Sequence, residues 1–271
     1  MTLEVLSPPK PRESLVRASV LFLEPSARRP RLGFTYDAAA AEVSEIYAPH
    51  PILIRDARGA DATLDEEGFT LRRHVSAVAD FTDEREAAAF GRNEAAHLVA
   101  HATGASRVHV FDHTVRRRAP DAARQPSTRA HVDYTAASGP QRLRELLGPE
   151  AEDLAKRRFA FINVWRPIRH PAQDWPLALC DARSVDPADL VATDIVYPDR
   201  HGEIYGLLHN PQQLWFYYPD MQLDEALLIK CYDSREDIAR FAPHTAFANP
   251  LTPPGAPPRE SIEFRTIAFF D

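Results

Sequence analysis

The stretch His131-Val132-Asp133 places an imidazole and a carboxylate two residues apart, and this spacing bears on both the fold and the function. In an extended strand, residues i and i+2 project from the same face, so both side chains can reach one metal ion. Two histidines and one carboxylate leave positions open on an octahedral iron(II) ion, as oxygenases require. A His-x-Asp triplet also arises by chance, so it indicates a metal site only together with a further ligand.

A second histidine has to come from a later element. Three candidates lie in charged, Pro-rich or turn-like surroundings, namely His170, His201 and His209. His244 lies between the predicted strand Ala226–Tyr232 and the last predicted strand, which makes it the best candidate. We therefore predict that His131, Asp133 and His244 form the metal site and act in catalysis; a hydrogen-bonded structural role is the alternative for His244.

Most of the chain around this site is predicted to form β-strands. Runs rich in β-branched and aromatic residues predict strands at Ser19–Leu23, Arg107–Phe111, Phe159–Trp165, Leu214–Tyr218, Ala226–Tyr232 and Ser261–Phe270. Helices are predicted over Asp83–Ala102, with Asp83 and Glu86 as a capping box and Gly104 as the end, and over Pro140–Arg157.

The second half of the chain lacks helices between its strands, which disfavours a parallel α/β fold. The pattern predicts one mainly β domain over residues 1–271, with N-terminal strands in 1–65, the core in 66–271 and flanking helices. We expect a double-stranded β-helix, that is, a cupin-like jelly roll.

Composition limits the possible partners. The 271 residues carry a formal net charge of −7 and 44% hydrophobic residues, which is typical of a globular protein and disfavours a nucleic-acid binder. The sequence has no run of about 20 apolar residues that would cross a bilayer. Cys180 and Cys231 are the two cysteines, so no disulfide framework is expected. We expect a cytoplasmic monomer or homodimer that binds a small molecule and neither nucleic acid nor a membrane.

Arg259-Glu260-Ser261 opens the final predicted strand, with Arg259 and Ser261 on one face. A guanidinium can bind a carboxylate through two hydrogen bonds, and a hydroxyl can add a third. This is what the distal carboxylate of 2-oxoglutarate requires; a surface arginine at a strand start is the alternative. Arg265 shares the same face and is also eligible, although Glu263 is placed to neutralise it.

Several stretches, in register from about residue 65 to the end, resemble the CmcJ/AsaB-like hydroxylase/desaturase family of iron(II)/2-oxoglutarate-dependent dioxygenases. They are Glu67–Leu71, Val110–Arg116, His131–Thr135, Asn163–Pro167, Pro176–Asp181, Leu228–Ser234, Pro243–Phe247 and Arg259–Glu263.

This resemblance implies a jelly-roll core that uses iron(II), 2-oxoglutarate as cosubstrate and O2. It also implies that His131, Asp133 and His244 are the metal ligands and that Arg259 and Ser261 bind the cosubstrate. The implied activity is hydroxylation or desaturation of a small molecule, a secondary metabolite, through a ferryl oxidant that abstracts hydrogen from a C–H bond.

Asn163 and Arg166 are further candidates for binding the cosubstrate. An asparagine in the apolar strand Phe159–Trp165 is costly to bury without a partner. The 2-oxoglutarate carboxylate and a backbone carbonyl fit it equally well.

Four residues are candidates for contact with the substrate, namely Arg129, Tyr134, Lys230 and Trp215. A surface salt bridge is the alternative for Arg129, an ion pair with Glu225 or Asp233 for Lys230, and a core position for Trp215. His113 is expected to be a structural hydrogen-bonding residue, because it faces away from its neighbour Asp112. The loop Ala119–Thr128 is predicted to be a lid.

Two other functions stay open at the level of the sequence. A zinc-dependent hydrolase or isomerase on a cupin barrel would work without oxygen and would not need Arg259 and Ser261. A non-catalytic jelly-roll binding protein would hold no stoichiometric metal.

Overall fold

The structure is a computed structural model that describes residues 15–33, 46–197 and 201–271. Within these residues, fourteen strands run in chain order. They are β1 Leu15–Leu23, β2 Arg31–Gly33, β3 Tyr47–Asp56, β4 Phe69–Arg73, β5 Arg107–Arg117, β6 His131–Val132, β7 Phe159–Pro167, β8 Leu177–Cys180, β9 Leu190–Val196, β10 His201–Leu207, β11 Trp215–Tyr217, β12 Glu225–Asp233, β13 His244–Ala246 and β14 Glu260–Phe269.

The strands form two sheets. The larger has the order β1-β3-β11-β8-β13-β6-β10-β9-β2, and the smaller has the order β4-β12-β7-β14-β5. Neighbouring strands are antiparallel except for the pairs β3–β11 and β2–β9. All six predicted strands coincide with observed ones to within a residue or two at the predicted ends or lie inside them, because their β-branched and aromatic side chains suit a pleated, half-buried surface.

The first predicted helix is confirmed, with one difference at its start. Helix α1 (Glu84–Glu86) continues through a π-helical turn (87–91) into α2 (Arg92–Thr103), and Gly104 ends it with a φ of 72°. The Asp83 carboxylate accepts hydrogen bonds from the N–H groups of Arg85 and Glu86. The predicted capping box is wrong in its second half, because the Glu86 carboxylate accepts from the N–H groups of residues 79 and 80.

The second predicted helix is interrupted. Helix α3 (Ser138–Leu147) ends at Gly148, which has a φ of 55° and is followed by Pro149. A single turn then leads into the short helix α4 (Ala151–Leu154). The predicted continuous helix to Arg157 is therefore wrong, since the Gly-Pro step breaks it.

The main core lies between the two sheets. Along β7, Phe159, Phe161 and Trp165 face the larger sheet, while Ile162 and Val164 pack on the other side beneath α2. A third cluster covers the opposite face of the larger sheet, around β1, β3 and β11.

Two facing, mainly antiparallel sheets that enclose a core constitute a jelly roll, which confirms the predicted fold class. In the described residues, no helix combines the length and the apolar character needed to cross a bilayer.

Candidate metal centre

The pairing of two short strands brings the predicted ligands together. His131 on β6 lies directly opposite His244 on β13, and the centres of their rings are 4.6 Å apart. Asp133 follows β6, and one of its carboxylate oxygens is 3.3 Å from Nε2 of His131. One possible ligand atom from each of the three residues lies within 4.8 Å of the others. Among the described residues, this is the one group of at least three such side chains.

Backbone carbonyls fix the orientation of both imidazoles. Nδ1 of His131 lies 2.8 Å from the carbonyl oxygen of Arg129, and Nδ1 of His244 lies 3.1 Å from that of Ala242. Because a carbonyl can only accept, each Nδ1 must carry the proton and donate it. The Nε2 lone pair of each ring then remains for a metal ion, which is the usual arrangement of metal-binding histidines.

The pKa shifts of Asp133 and His244 also suit a cation. Burial acts to raise the pKa of Asp133, but the adjacent His131 imidazole and the charge of Arg265 hold it well below the ordinary value. Burial and the nearby His131 lower the pKa of His244. A carboxylate and a neutral imidazole are the forms in which these residues bind metals.

The smaller sheet supports the carboxylate from the other side. The amide nitrogen of Asn163 on β7 donates to Oδ2 of Asp133 at 2.8 Å, and Nε of Arg265 on β14 lies 3.5 Å from the same oxygen. Arg265 also pairs with Glu263 at 2.6 Å and with Asp112 at 2.9 Å. The predicted Glu263–Arg265 pair is thus confirmed, whereas the contact of Arg265 with Asp133 was missed.

Arg259 and Ser261 are both buried near the start of β14. The guanidinium of Arg259 lies over the ring of Trp165, and its Nη1 donates to the carbonyl of Trp175 at 2.6 Å. Trp175 has a φ of 45°, a strained conformation for a bulky residue. Nε of Arg259 and Oγ of Ser261 have no hydrogen-bond partner in the described structure. Two orphaned polar atoms at one place indicate that a polar ligand belongs there.

One cavity joins the two groups, with about 330 Å³ of empty space including its mouth. Its lining residues are Arg116, Ser127, His131, Asp133, Trp165, Leu177, His244, Thr245, Arg259, Glu263 and Arg265. Ser261 shares a face of β14 with Glu263, and Arg259 comes immediately before that strand. The residues present therefore fit an iron ion at one end of the cavity and an anion at the other.

The prediction that Arg166 binds the cosubstrate is wrong. Arg166 follows Trp165 on β7 and so faces away from the cavity. Its guanidinium donates to the carbonyls of His74 and Leu223 and lies over the ring of Phe81. Alternation along the strand excludes Arg166 once Trp165 faces inward.

Lys230 is likewise not in the site. Its side chain is 1% exposed, and its ammonium group pairs with Asp65 at 2.6 Å and with Asp233 at 2.9 Å. The alternative of an ion pair with Asp233 is confirmed, and Glu225 pairs with Arg58 instead. The proposed contact with substrate is wrong, because the charge is already neutralised inside the protein.

Trp215 packs on the far face of the larger sheet, in the cluster that contains Phe22, so its predicted contact with substrate is wrong and the core alternative is confirmed. The guanidinium of Arg129 lies over Tyr47, and its part in the site is the backbone carbonyl that orients His131. Tyr134 packs against Phe161 in the core between the sheets, next to the candidate ligands.

The remaining histidines lie elsewhere in the described structure. His209 stacks on His50 with ring centres 4.4 Å apart. His113 binds Glu84 at 3.0 Å and packs near Phe264, so the predicted structural role is confirmed. The sequence analysis did not identify Arg116 as a lining residue, although strand alternation places it on the opposite face from Arg117.

Comparison with known proteins agrees with this geometry. Residues 21–269 match a family model described as an oxidoreductase/YMDC permease-like domain. The hydroxylase/desaturase efuI of Hormonema carpetanum is 32% identical over 255 residues, covering 83% of this chain and 85% of the relative. The Fe(II)/2-oxoglutarate-dependent dioxygenase nvfI of Aspergillus novofumigatus is 32% identical over 236 residues, covering 82% and 84%.

A solved structure shares the fold over nearly its whole length. The iron and alpha-ketoglutarate-dependent endoperoxidase NvfI superposes with a TM-score of 0.86 at 28% identity, covering 94% of this chain and 98% of that one. None of the relatives named here supports a zinc hydrolase or a silent binding protein. The fold, the His-Asp-His group and these similarities show that the chain belongs to the hydroxylase/desaturase family of iron(II)/2-oxoglutarate-dependent dioxygenases.

Proposed function

We propose that His131, Asp133 and His244 hold the iron(II) ion with which this enzyme hydroxylates or desaturates a small molecule. One observation carries the assignment. Both imidazoles donate Nδ1–H to a backbone carbonyl, which leaves two Nε2 atoms beside one carboxylate. Two neutral imidazoles and a carboxylate on one side of an ion are the donor set that iron(II) oxygenases use.

We further propose that Arg259 and Ser261 bind the distal carboxylate of 2-oxoglutarate. Support comes from the unpartnered Nε and Oγ atoms, and from the absence of a carboxylate partner for the Arg259 guanidinium among the described residues. Arg265 is a poorer candidate, because Glu263, Asp112 and Asp133 already surround its guanidinium.

The protein residues position and neutralise the reacting groups. Asn163 and Arg265 orient the Asp133 carboxylate, and the inter-sheet core around Phe161 and Tyr134 keeps water away from one side. Bound iron(II), 2-oxoglutarate and dioxygen supply the oxidation of a C–H bond, with 2-oxoglutarate lost as succinate and carbon dioxide. Of the four candidates for contact with the substrate, we propose Tyr134.

The test is succinate formation by the purified protein supplied with iron(II) and 2-oxoglutarate, in air and under argon, with and without extracts that contain candidate small molecules. We expect succinate only when iron and oxygen are both present. Equal succinate under argon would show that the chemistry is not an oxygenation.

We also propose that the protein is cytoplasmic and works as a monomer or homodimer without nucleic acid. Cys180 and Cys231 are both buried free thiols, which suits a reducing compartment. Cell fractionation tests the location, and sedimentation of the purified chain tests the oligomeric state.

A further inference from the structure

Arg116 is a second arginine at the anion end of the cavity. It lies on β5, directly opposite Ser261 of β14, and lines the cavity together with Arg259. Residues directly opposite or diagonal on neighbouring strands are close enough for long side chains to meet at one point. Ser261, whose hydroxyl has no hydrogen-bond partner, is thus opposite Arg116 across the sheet and two residues from Arg259 along the chain.

Neither guanidinium forms an ion pair with a carboxylate within the described residues. Nη1 of Arg116 donates to the carbonyl of Gln125 at 2.9 Å, and Nη1 of Arg259 donates to the carbonyl of Trp175. An arginine has five N–H donors, so each guanidinium keeps several for a ligand. Glu263, which also lines the cavity, pairs with Arg265 instead, and Asp174 accepts from the backbone N–H of Arg259.

The two positive charges disfavour each other while no anion is present. Burial and then the charge of Arg116 lower the pKa of Arg259 to about 9. Burial also lowers the pKa of Arg116. An anion between them removes this repulsion, so the pair is an electrostatic site for a carboxylate.

We propose that Arg116 binds the distal carboxylate of 2-oxoglutarate together with Arg259, so that two arginines select a dianionic 2-oxo acid over a monoanionic one. This rests on the proposed function. The loop that follows β5 holds Arg116 in place, because the carbonyl of Gln125 accepts from its guanidinium and the carbonyl of Ser127 accepts from the N–H of Ala246. The predicted lid Ala119–Thr128 is thus attached to both the cosubstrate pocket and the strand of His244.

The experiment compares two ligands by calorimetry, with iron(II) present and oxygen excluded. They are 2-oxoglutarate and 2-oxopentanoate, which has the same carbon chain without the distal carboxylate. Arg116→Ala should weaken binding of 2-oxoglutarate by about tenfold or more, the effect of one lost charge-assisted hydrogen bond. It should leave binding of 2-oxopentanoate unchanged. Arg117→Ala is the matched control, since Arg117 is exposed on the same strand and faces the other way.

An unchanged preference for 2-oxoglutarate in Arg116→Ala would overturn the proposal, whether both ligands weaken together or neither does. Arg116→Gln repeats the test if the alanine variant does not fold, with the same loss of preference expected. Arg259→Ala in the same assay separates this proposal from the proposed function. If Arg259→Ala loses the preference and Arg116→Ala keeps it, only the role of Arg116 fails; if both keep it, the whole anion site fails.

Discussion

Each histidine of the site is oriented by the carbonyl of the residue two positions before it. His131 donates to Arg129 and His244 donates to Ala242, so the two ligands are set up by their own strands rather than by a separate side chain. The carboxylate, in contrast, depends on side chains from the opposite sheet. Loss of such supporting contacts typically weakens metal binding by about 10–100-fold.

We expect His131→Ala, Asp133→Ala and His244→Ala each to abolish retention of iron while the fold persists. The reason is that each removes one of three ligands from a single centre. Bound iron is measured by elemental analysis, and folding by circular dichroism. His209→Ala is the control, because this histidine stacks on His50 outside the cluster and should leave iron binding intact. Full iron occupancy in His244→Ala would assign the third ligand elsewhere.

Replacement of Arg259 and replacement of Arg265 should have different effects. Arg259→Ala should raise the 2-oxoglutarate requirement about 100-fold, since a charged hydrogen bond of roughly 3 kcal/mol is lost. Arg265→Ala should leave that requirement nearly unchanged but weaken iron binding and lower stability, because it removes the partner of Asp133 and Glu263. Titration of iron(II) and of 2-oxoglutarate against each variant measures the two affinities. The reverse pattern would place the cosubstrate carboxylate at Arg265.

At the level of single elements, strand alternation explains both the successes and the errors of sequence reasoning. It correctly put His131 with Asp133, and Arg259 with Ser261, on common faces. It also excludes Arg166 from the face of Asn163, because the two are three residues apart on one strand. The contact between Asn163 and Asp133 could not be predicted, because it depends on how the two sheets face each other.

Strand β12 shows how a buried charge can serve structure alone. Lys230 and Arg158 both pair with Asp233, whose side chain is fully buried. Lys230→Met should destabilise the fold by about 3 kcal/mol, since it leaves a buried carboxylate short of a partner. Affinity for 2-oxoglutarate should not change.

Urea unfolding measures this effect, and Lys156→Met serves as its control. Lys156 pairs with Asp153 at the surface, so its loss should be undetectable. A large fall in the 2-oxoglutarate affinity of Lys230→Met would mean that Lys230 contributes to the cosubstrate site.

On the scale of the whole molecule, the site is assembled from both sheets. The larger sheet supplies the two histidines, and the smaller supplies Asn163 and Arg265, with Arg259 immediately before its strand β14. The strand pattern in the sequence predicted the jelly roll, and the order of the site residues along the chain agreed with that fold. The sequence did not predict the conformation of the connections between strands. The break at Gly148 and the strained backbone of Trp175 depend on local backbone geometry.

Because the ligands come from distant parts of the chain, iron should stabilise the fold as a whole. At a metal concentration about 100 times the dissociation constant, the expected gain is about 2.7 kcal/mol. For a chain of this size that corresponds to a rise in Tm of about 5 °C. Thermal unfolding under argon measures the shift; a chelator should reverse it, and Asp133→Ala should not show it. A similar shift in Asp133→Ala would mean that iron binds outside the proposed centre.

The most direct test of the account is an anaerobic titration of the protein with iron(II) and 2-oxoglutarate, followed by visible absorption. We expect a weak charge-transfer band that needs both ligands, saturates at equimolar iron, and is lost in His244→Ala. Binding of iron and 2-oxoglutarate without that band, or an undiminished band in His244→Ala, would contradict the central claim that this triad brings the metal and its cosubstrate together.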